Sequence, residues 1–388
     1  GAATTMTSTT ASRTAMNVLL VVTLVSPDGA YGGPVRVAFN QAHQLREQGH
    51  SVRIAGSYRG YDVAPTQLDS IPVYLAKARK ALPFIGFAGL TAPTLPWWMI
   101  RHRHTFDVVH VNAARDLVTL PAALTALLLR KRVVLQTHGM IDRSSRLLAR
   151  VLDALLTRFV LRHAAVVLYL TGAERSELLH IQRRARLARL TNGVPMPASA
   201  CPAPGSTDVE VLYLARLHER KRPVLFVEAA KTLLREGISA TFVLVGPDEG
   251  ELAGVQAALA DSPGDRIRWE GALAPELTVV RMRKSSVYVL PSVNEPFPMS
   301  VLEALSVGLP VVVTESCGLA ADIERTGSGV VVDESLESLT AALRVLIVDN
   351  EMRTAMGRRA AETATADFSM AAVGQRLEAL YLSGATAR

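Results

Sequence analysis

The amino-acid sequence predicts an α/β protein built from two Rossmann-like domains. Three observations carry that expectation. From residue 17 onward, β-branched apolar runs alternate with helix-like stretches, the pattern of parallel strands joined by crossover helices. A turn-rich segment, TNGVPMPASACPAPGST at 191–207, interrupts the alternation, and a second series then begins. At 388 residues the chain also exceeds what one ordinary core accommodates, so two domains are the natural division.

Taken in order, residues 1–16 are a low-complexity tail expected to be disordered. MNVLLVVTLVSPDGA reads either as a signal peptide with a short apolar core or as a buried first strand. The loop and amphipathic helix that follow at once, GGPVRVAFNQAHQLREQGHSVRIAG, favour the strand, because together they make a β–loop–α–β unit. SVRIAG, DVVHVN, RVVLQTH and AAVVLYL are the further strands expected in a first domain spanning 17–197. VEVLYLAR, ATFVLVG, DRIRWEG, SSVYVLPS, PVVVT and GVVV supply a second domain over 198–365, and a closing helix is expected within 366–388.

Composition narrows the function classes. With 49% apolar and 20% charged residues the chain has a folded, soluble composition rather than a disordered one. Cys201 and Cys317 are too far apart to suggest a disulfide framework or a metal-ligand cluster, which favours a reducing, cytoplasmic setting. The net charge of +7 hides an asymmetry: residues 1–197 carry 24 Lys and Arg against 10 Asp and Glu, while 198–388 carry 18 against 25. The basic half should be drawn to an anionic surface. No helix-turn-helix, zinc-finger or RNP-like signature is present, so nucleic acid is not the expected partner. Neither a GxGxxG fingerprint nor a Walker A loop occurs, which leaves NAD and P-loop nucleotide readings unsupported.

The residues that could carry chemistry fall at expected strand ends. NEPFPMSVLEA at 294–304 joins a strand to a short helix and holds Glu295 and Glu303 on either side of Phe297, Met299 and Ser300. A helix N-terminus there would point free N–H groups at a ligand. Ser300 with Glu303 three residues on also fits a capping box, which would make Glu303 structural. VLYLARLHERKRP places Arg216 and Lys221 after a strand, either as a diphosphate clamp or as a solvated basic turn. In GAYGGP at 29–34, Gly32 and Gly33 would let backbone amides approach an anion closely, though turns are rich in glycine. His138 in LQTHGM follows a strand and precedes a glycine, a position equally suited to a satisfied structural histidine.

Together these features resemble the retaining glycosyltransferases of the group 1 family, also called family four, which have the GT-B fold of two Rossmann-like domains facing across a cleft. The resemblance covers nearly the whole chain: GGP and LREQGHSV, DVVHVN, THGM, TNGV, ARLHERK, and PSVNEPFPMSVLEALSVGLPVVV. FSMAAVGQRLEALY looks like the family's C-terminal helix, which crosses back toward the first domain.

That resemblance implies transfer of a hexose from a nucleotide-sugar, GDP-mannose or a UDP-hexose, to a glycan, lipid-linked or small-molecule acceptor. Glu303 would bind the ribose hydroxyls and Glu295 those of the transferred sugar, with amides around Phe297, Met299 and Ser300 holding sugar and phosphate. Arg216 and Lys221 would take the diphosphate, Gly33 would close over it, and His138 would line the sugar. Many relatives have glycine where this chain has Pro298, which cannot donate an N–H. The base should lie near GPDEG (246–250) and EGALAP (270–275). No Asp-x-Asp pair occurs, so neither a catalytic metal nor another cofactor is expected. A phosphorylase or epimerase of the same architecture and an inactive partner subunit are the rival readings.

One stretch raises a separate question. KARKALPFIGFAGLTAPTLPWWMIRHRH at 77–104 contains an uncharged run, 81–100, flanked by Lys77, Arg79, Lys80, Arg101 and Arg103. Pro83, Pro93 and Pro96 argue against a transmembrane helix. A core helix or an interfacial segment, with Trp97 and Trp98 at headgroup depth on anionic lipid, are the two readings left.

Overall fold

The computed structural model describes residues 15–27, 32–80, 89–141, 156–197, 208–260, 262 and 264–383. Most of the tail expected at 1–16 lies outside the described residues. So do part of the glycine loop at 29–34, residues 81–88 and 198–207, and the last five positions.

Strands form where β-branched residues run together. In chain order they are β1 (Asn17–Val25), β2 (Ser51–Tyr58), β3 (Gln67–Leu68), β4 (Ile71–Lys77), β5 (Arg79–Lys80), β6 (Leu90–Thr91), β7 (Val108–Asn112), β8 (Arg132–Gln136), β9 (Val166–Tyr169) and β10 (Leu187–Arg189). All but β5 and β6 join one sheet, ordered β10-β9-β8-β7-β1-β2-β4-β3. β1 is parallel to both β2 and β7, and its near-continuous burial explains why it reads as an unbroken apolar run. β3 and β4 were not expected. They form an antiparallel hairpin whose two turn residues, Asp69 and Ser70, both have positive φ, as a type I′ turn requires.

The second sheet comprises β11 (Glu210–Leu214), β12 (Thr241–Val245), β13 (Ile267–Trp269), β14 (Val287–Leu290), β15 (Val311–Thr314) and β16 (Gly329–Val332), in the order β13-β12-β11-β14-β15-β16. Every pairing in it is parallel. Alternate side chains feed two cores. Val211, Tyr213, Phe242, Leu244 and Val289 pack with Phe226 and Leu233 of the helix Pro223–Arg235. Leu212, Val243, Tyr288 and Leu290 pack with Val301, Leu302 and Leu305 of the helix Met299–Ser306. Burying each such large side chain stabilises the fold by about 1.5–3 kcal/mol.

The described residues fall into two compact units. One runs to Val167 and includes Arg184–Arg186 and the residues from Leu380; the other comprises Leu168–Arg183 and Leu187–Ala379. In the first unit the helix Met370–Leu382 ends with Tyr381 fully buried, its hydroxyl 2.7 Å from His110 Nδ1. Arg132 donates to the Leu380 carbonyl at 2.8 Å.

The stretch 77–104 is not one helix. β5 and β6 pair antiparallel, and a short helix, Thr94–Arg101, follows. Trp98 is buried, stacked on Tyr74 at 4.3 Å and on His102 at 4.6 Å, so the expectation that both tryptophans face a membrane is corrected: only Trp97 is exposed. Among the described residues, no helix is long and apolar enough to cross a membrane.

Burial pulls the pKa of His110 down from 6.5 to about 3, with a smaller push from His138. The unfolded chain therefore binds a proton below pH 6.5 that the folded chain refuses, and stability falls as pH drops from 6.5 toward 3. His110→Gln should flatten the dependence of unfolding free energy on pH between 6 and 4 by about one proton, measured by urea titration. An unchanged slope would show that His110 is protonated in the fold.

Candidate functional site

The order of the second sheet builds the site. β11 lies between β12 and β14, so connections leave it in opposite directions and a crevice opens at the carboxyl ends of β11 and β14. The loop after β11 carries Arg216, Arg220 and Lys221; the loop after β14 carries Glu295 and Phe297. Lys221 donates to Glu295 Oε2, and the Arg220 guanidinium lies 3.6 Å from the same oxygen. The Lys221 and Glu295 side chains are only 14% and 12% exposed, so water screens this pair far less than a surface bridge. Arg216 instead pairs with Glu249 at 2.8 Å and is largely exposed. The two cations expected at the diphosphate thus engage separate carboxylates.

Backbone ties hold the Glu295 loop in place. Val293 N–H donates to the Arg220 carbonyl at 2.9 Å, and Asn294 N–H to Ser316 Oγ at 3.1 Å. Thr314 Oγ1 donates to the Ser292 carbonyl. Gly318 N–H donates to the Glu295 carbonyl at 2.8 Å. A Cβ at Gly318 would lie 1.8 Å from the Pro296 carbonyl oxygen, so only glycine permits this approach.

The helix Met299–Ser306 begins directly after Pro298, whose extended backbone makes no side-chain cap. Ser300 is inside the helix, so the capping box suggested by Ser300 and Glu303 does not form. Its Oγ is 2.7 Å from the Tyr288 hydroxyl, which also lies 3.0 Å from the Leu214 carbonyl. A carbonyl only accepts, so the phenol donates to Leu214 and receives the Ser300 proton. Tyr288 is fully buried, and desolvation, then the charges of Glu303 and Glu295, drives its pKa upward. Both carboxylates are therefore within electrostatic reach of this phenol. Cys317, buried beside the same loop, has its thiol pushed up to about 11, mainly by burial. Phe297 and Met299 pack partly against the core beneath.

The loops expected near a base are tied through backbone. Gly246 N–H donates to the Gly271 carbonyl at 2.8 Å, and Trp269 Nε1 donates to the Gly246 carbonyl at 3.0 Å.

In the first unit, Gly32 and Gly33 open the helix Gly32–Glu47, and a Cβ at Gly33 would meet nothing within 4 Å among the described residues. Among the described residues, no packing contact at Gly33 demands glycine. His138 sits in a tight turn after β8, with φ of 50° at His138 and 71° at Gly139, and Met140 N–H donates to the Thr137 carbonyl at 2.8 Å. Its Nε2 is 2.7 Å from Asn112 Oδ1. Desolvation lowers its pKa to about 4, so the ring is neutral near pH 7.

Tyr288, Gly318 and Asn112 were not anticipated. Tyr288 and Asn112 lie in runs that read as plain strand, and Gly318 acts through a contact distant in sequence.

The model of the glycosyl transferases group 1 matches residues 202–363, and that of the glycosyl transferase 4-like domain matches 32–193. The chain belongs to the group 1 glycosyltransferases. It is 28% identical over 330 residues to an alpha-D-kanosaminyltransferase of Streptomyces kanamyceticus, covering 77% of this chain and 84% of that relative. It is also 32% identical over 225 residues to a D-inositol 3-phosphate glycosyltransferase of Kineococcus radiotolerans, where the match spans 50% of this chain and 52% of the relative. In fold it is similar to Anabaena Alr3699/HepE crystallised with UDP, with a TM-score of 0.74, 17% identity, and coverage of 95% and 100% of the two chains. That protein was also crystallised with UDP-glucose. The fold is thus GT-B, as the sequence implied.

Gly318→Ala should shift the Glu295 loop of this glycosyltransferase. Turnover should fall by up to about 10²-fold while the chain stays folded, as judged by circular dichroism and steady-state kinetics. Wild-type turnover in a folded Gly318→Ala variant would show that the close approach does not position Glu295.

Proposed function

We propose that this glycosyltransferase moves a hexose from a UDP-hexose to a hydroxyl of a small polyol or glycan, with retention of configuration. The observation that carries this reading is the shielded Lys221–Glu295 pair, with Arg220 beside it, at the carboxyl end of β11 and in the loop leading to the helix Met299–Ser306. The UDP complexes of the HepE fold relative support a uridine donor over GDP-mannose. The D-inositol 3-phosphate relative supports a hydroxylated small-molecule acceptor, with a lipid-linked glycan the wider alternative.

In this reading the bond from sugar C1 to the β-phosphate oxygen breaks, and its electron pair stays on the diphosphate. Lys221 and Arg216, with the helix N-terminus, stabilise that growing charge. The acceptor oxygen bonds to C1 from the face the phosphate leaves, and its proton passes to the departing phosphate oxygen. Glu295 and Glu303 hold the hydroxyls of the sugar and the ribose, and neutral His138 orients the sugar. No metal is assigned a part, since the cations on the chain serve the leaving group.

UDP-glucose at 100 times its Kd should stabilise the protein by about 2.7 kcal/mol, seen as a rise in Tm. Lys221→Ala should cut turnover by roughly 10²–10³-fold, and EDTA should leave wild-type turnover intact. Glu303→Ala should weaken donor binding by about tenfold, or ~1.4 kcal/mol. A lowered Tm with unchanged affinity would make Glu303 structural, and loss of turnover on chelation, restored by a divalent ion, would overturn the metal-free step.

Acceptors held in a membrane would give the basic half a purpose. Trp97 and Ile100 are exposed, Arg101 lies over the Trp97 ring at 5.9 Å, and Arg103 follows. We propose that this patch, without Trp98, rests on anionic lipid. Co-sedimentation with anionic vesicles should weaken as salt rises, because each surface cation contributes about 1 kcal/mol that screening removes. Trp97→Ala should bind less. Equal binding by a folded Trp97→Ala variant, or none by wild type at low salt, would remove the membrane from the account.

A further inference from the structure

Asn112 ends β7 and is 1% exposed, and both ends of its amide are engaged. Nδ2 donates to the Val21 carbonyl of β1 at 3.3 Å, and Oδ1 lies 2.7 Å from His138 Nε2. These contacts fix two things. A backbone carbonyl can only accept, so the Val21 contact sets the amide with Nδ2 toward β1 and Oδ1 toward the histidine. Oδ1 can only accept as well, so Nε2 must carry a proton.

The backbone at His138 adds a second observation. Both central residues of the turn Thr137–Met140 have positive φ, a conformation that asparagine or glycine adopts at lower cost than histidine. Such a departure from the preferred turn chemistry points to a role for the ring itself. The ring is neutral near pH 7, so a proton on Nε2 leaves Nδ1 bare.

We propose that Asn112 is a positioning residue: anchored on the Val21 carbonyl, it holds His138 in the Nε2–H tautomer and leaves Nδ1 as the atom that accepts a hydrogen bond from a hydroxyl of the transferred sugar. This deepens the proposed function and rests on it. Asn112 touches no substrate; it acts through the tautomer and the orientation of the ring. Loss of this contact frees the imidazole to rotate and to move its proton to Nδ1, which would turn an acceptor toward the sugar into a donor.

The experiment is long-range ¹H–¹⁵N spectroscopy of the full chain with ¹⁵N-labelled histidine, the His138 signals being assigned by their loss in His138→Asn. Wild type should show a protonated Nε2 and a bare Nδ1. Asn112→Leu should show a tautomer mixture, with turnover lowered by about tenfold to 10²-fold and the KM for UDP-hexose little changed. A wild-type ring with its proton on Nδ1 overturns the proposal whether or not Asn112→Leu folds. So does a folded Asn112→Leu with unchanged tautomer and turnover. If the wild type shows no transfer from UDP-hexose, the proposed function fails instead, and the tautomer of wild type still decides the part of Asn112.

Discussion

Lys221 and Glu295, 74 residues apart in sequence, meet as a shielded ion pair, and the geometry of the second unit converges on that contact. Neither charge is fully in water, so each depends on the other. Removing one would leave its partner in a partly dry place with its attraction lost, which is why such pairs are costly to break. The pair also fixes the spacing between the loops after β11 and β14. On the proposed reading, an incoming diphosphate competes with Glu295 for Lys221 and frees that carboxylate for sugar hydroxyls.

Topology is what allows the pair to exist. A parallel sheet sends every strand toward the same edge, and its order places β14 beside β11, with Tyr213 bridged to Val289, although β12 and β13 lie between them in the chain. The Tyr288 phenol then links the end of β11 to the first turn of the helix Met299–Ser306 through Leu214 and Ser300. Gly318 closes the other side of the Glu295 loop by a contact that no side chain would permit. The first unit repeats the logic at its own strand ends: Asn112 closes β7, His138 follows β8, and β1 supplies the carbonyl that orients both.

Much of this was legible in the sequence. The long β-branched runs announced their strands because buried parallel strands need apolar residues on both faces, and the stretch around Glu295 read as the loop between a strand and a short helix. What was not legible depends on contacts distant in sequence. β3 is two residues long and its turn, Asp69–Ser70, lacks the usual glycine. Trp98 looked interchangeable with Trp97 until Tyr74, a residue of the unforeseen β4, covered its face. Ser300 and Glu303 had capping-box spacing, but the helix starts at Met299 with Pro298 at its cap, which leaves Ser300 inside the first turn. The pairing of Arg216 with Glu249 was equally invisible, because spacing reports a cation's position on the chain and not its partner.

On the proposed reading, a nucleotide-sugar binds at the Lys221–Glu295 contact and the start of the adjoining helix. Hydrogen–deuterium exchange with and without saturating UDP-glucose locates that binding. Exchange should slow in the backbone amides of 216–222 and 294–303. Binding without protection in either segment would contradict it.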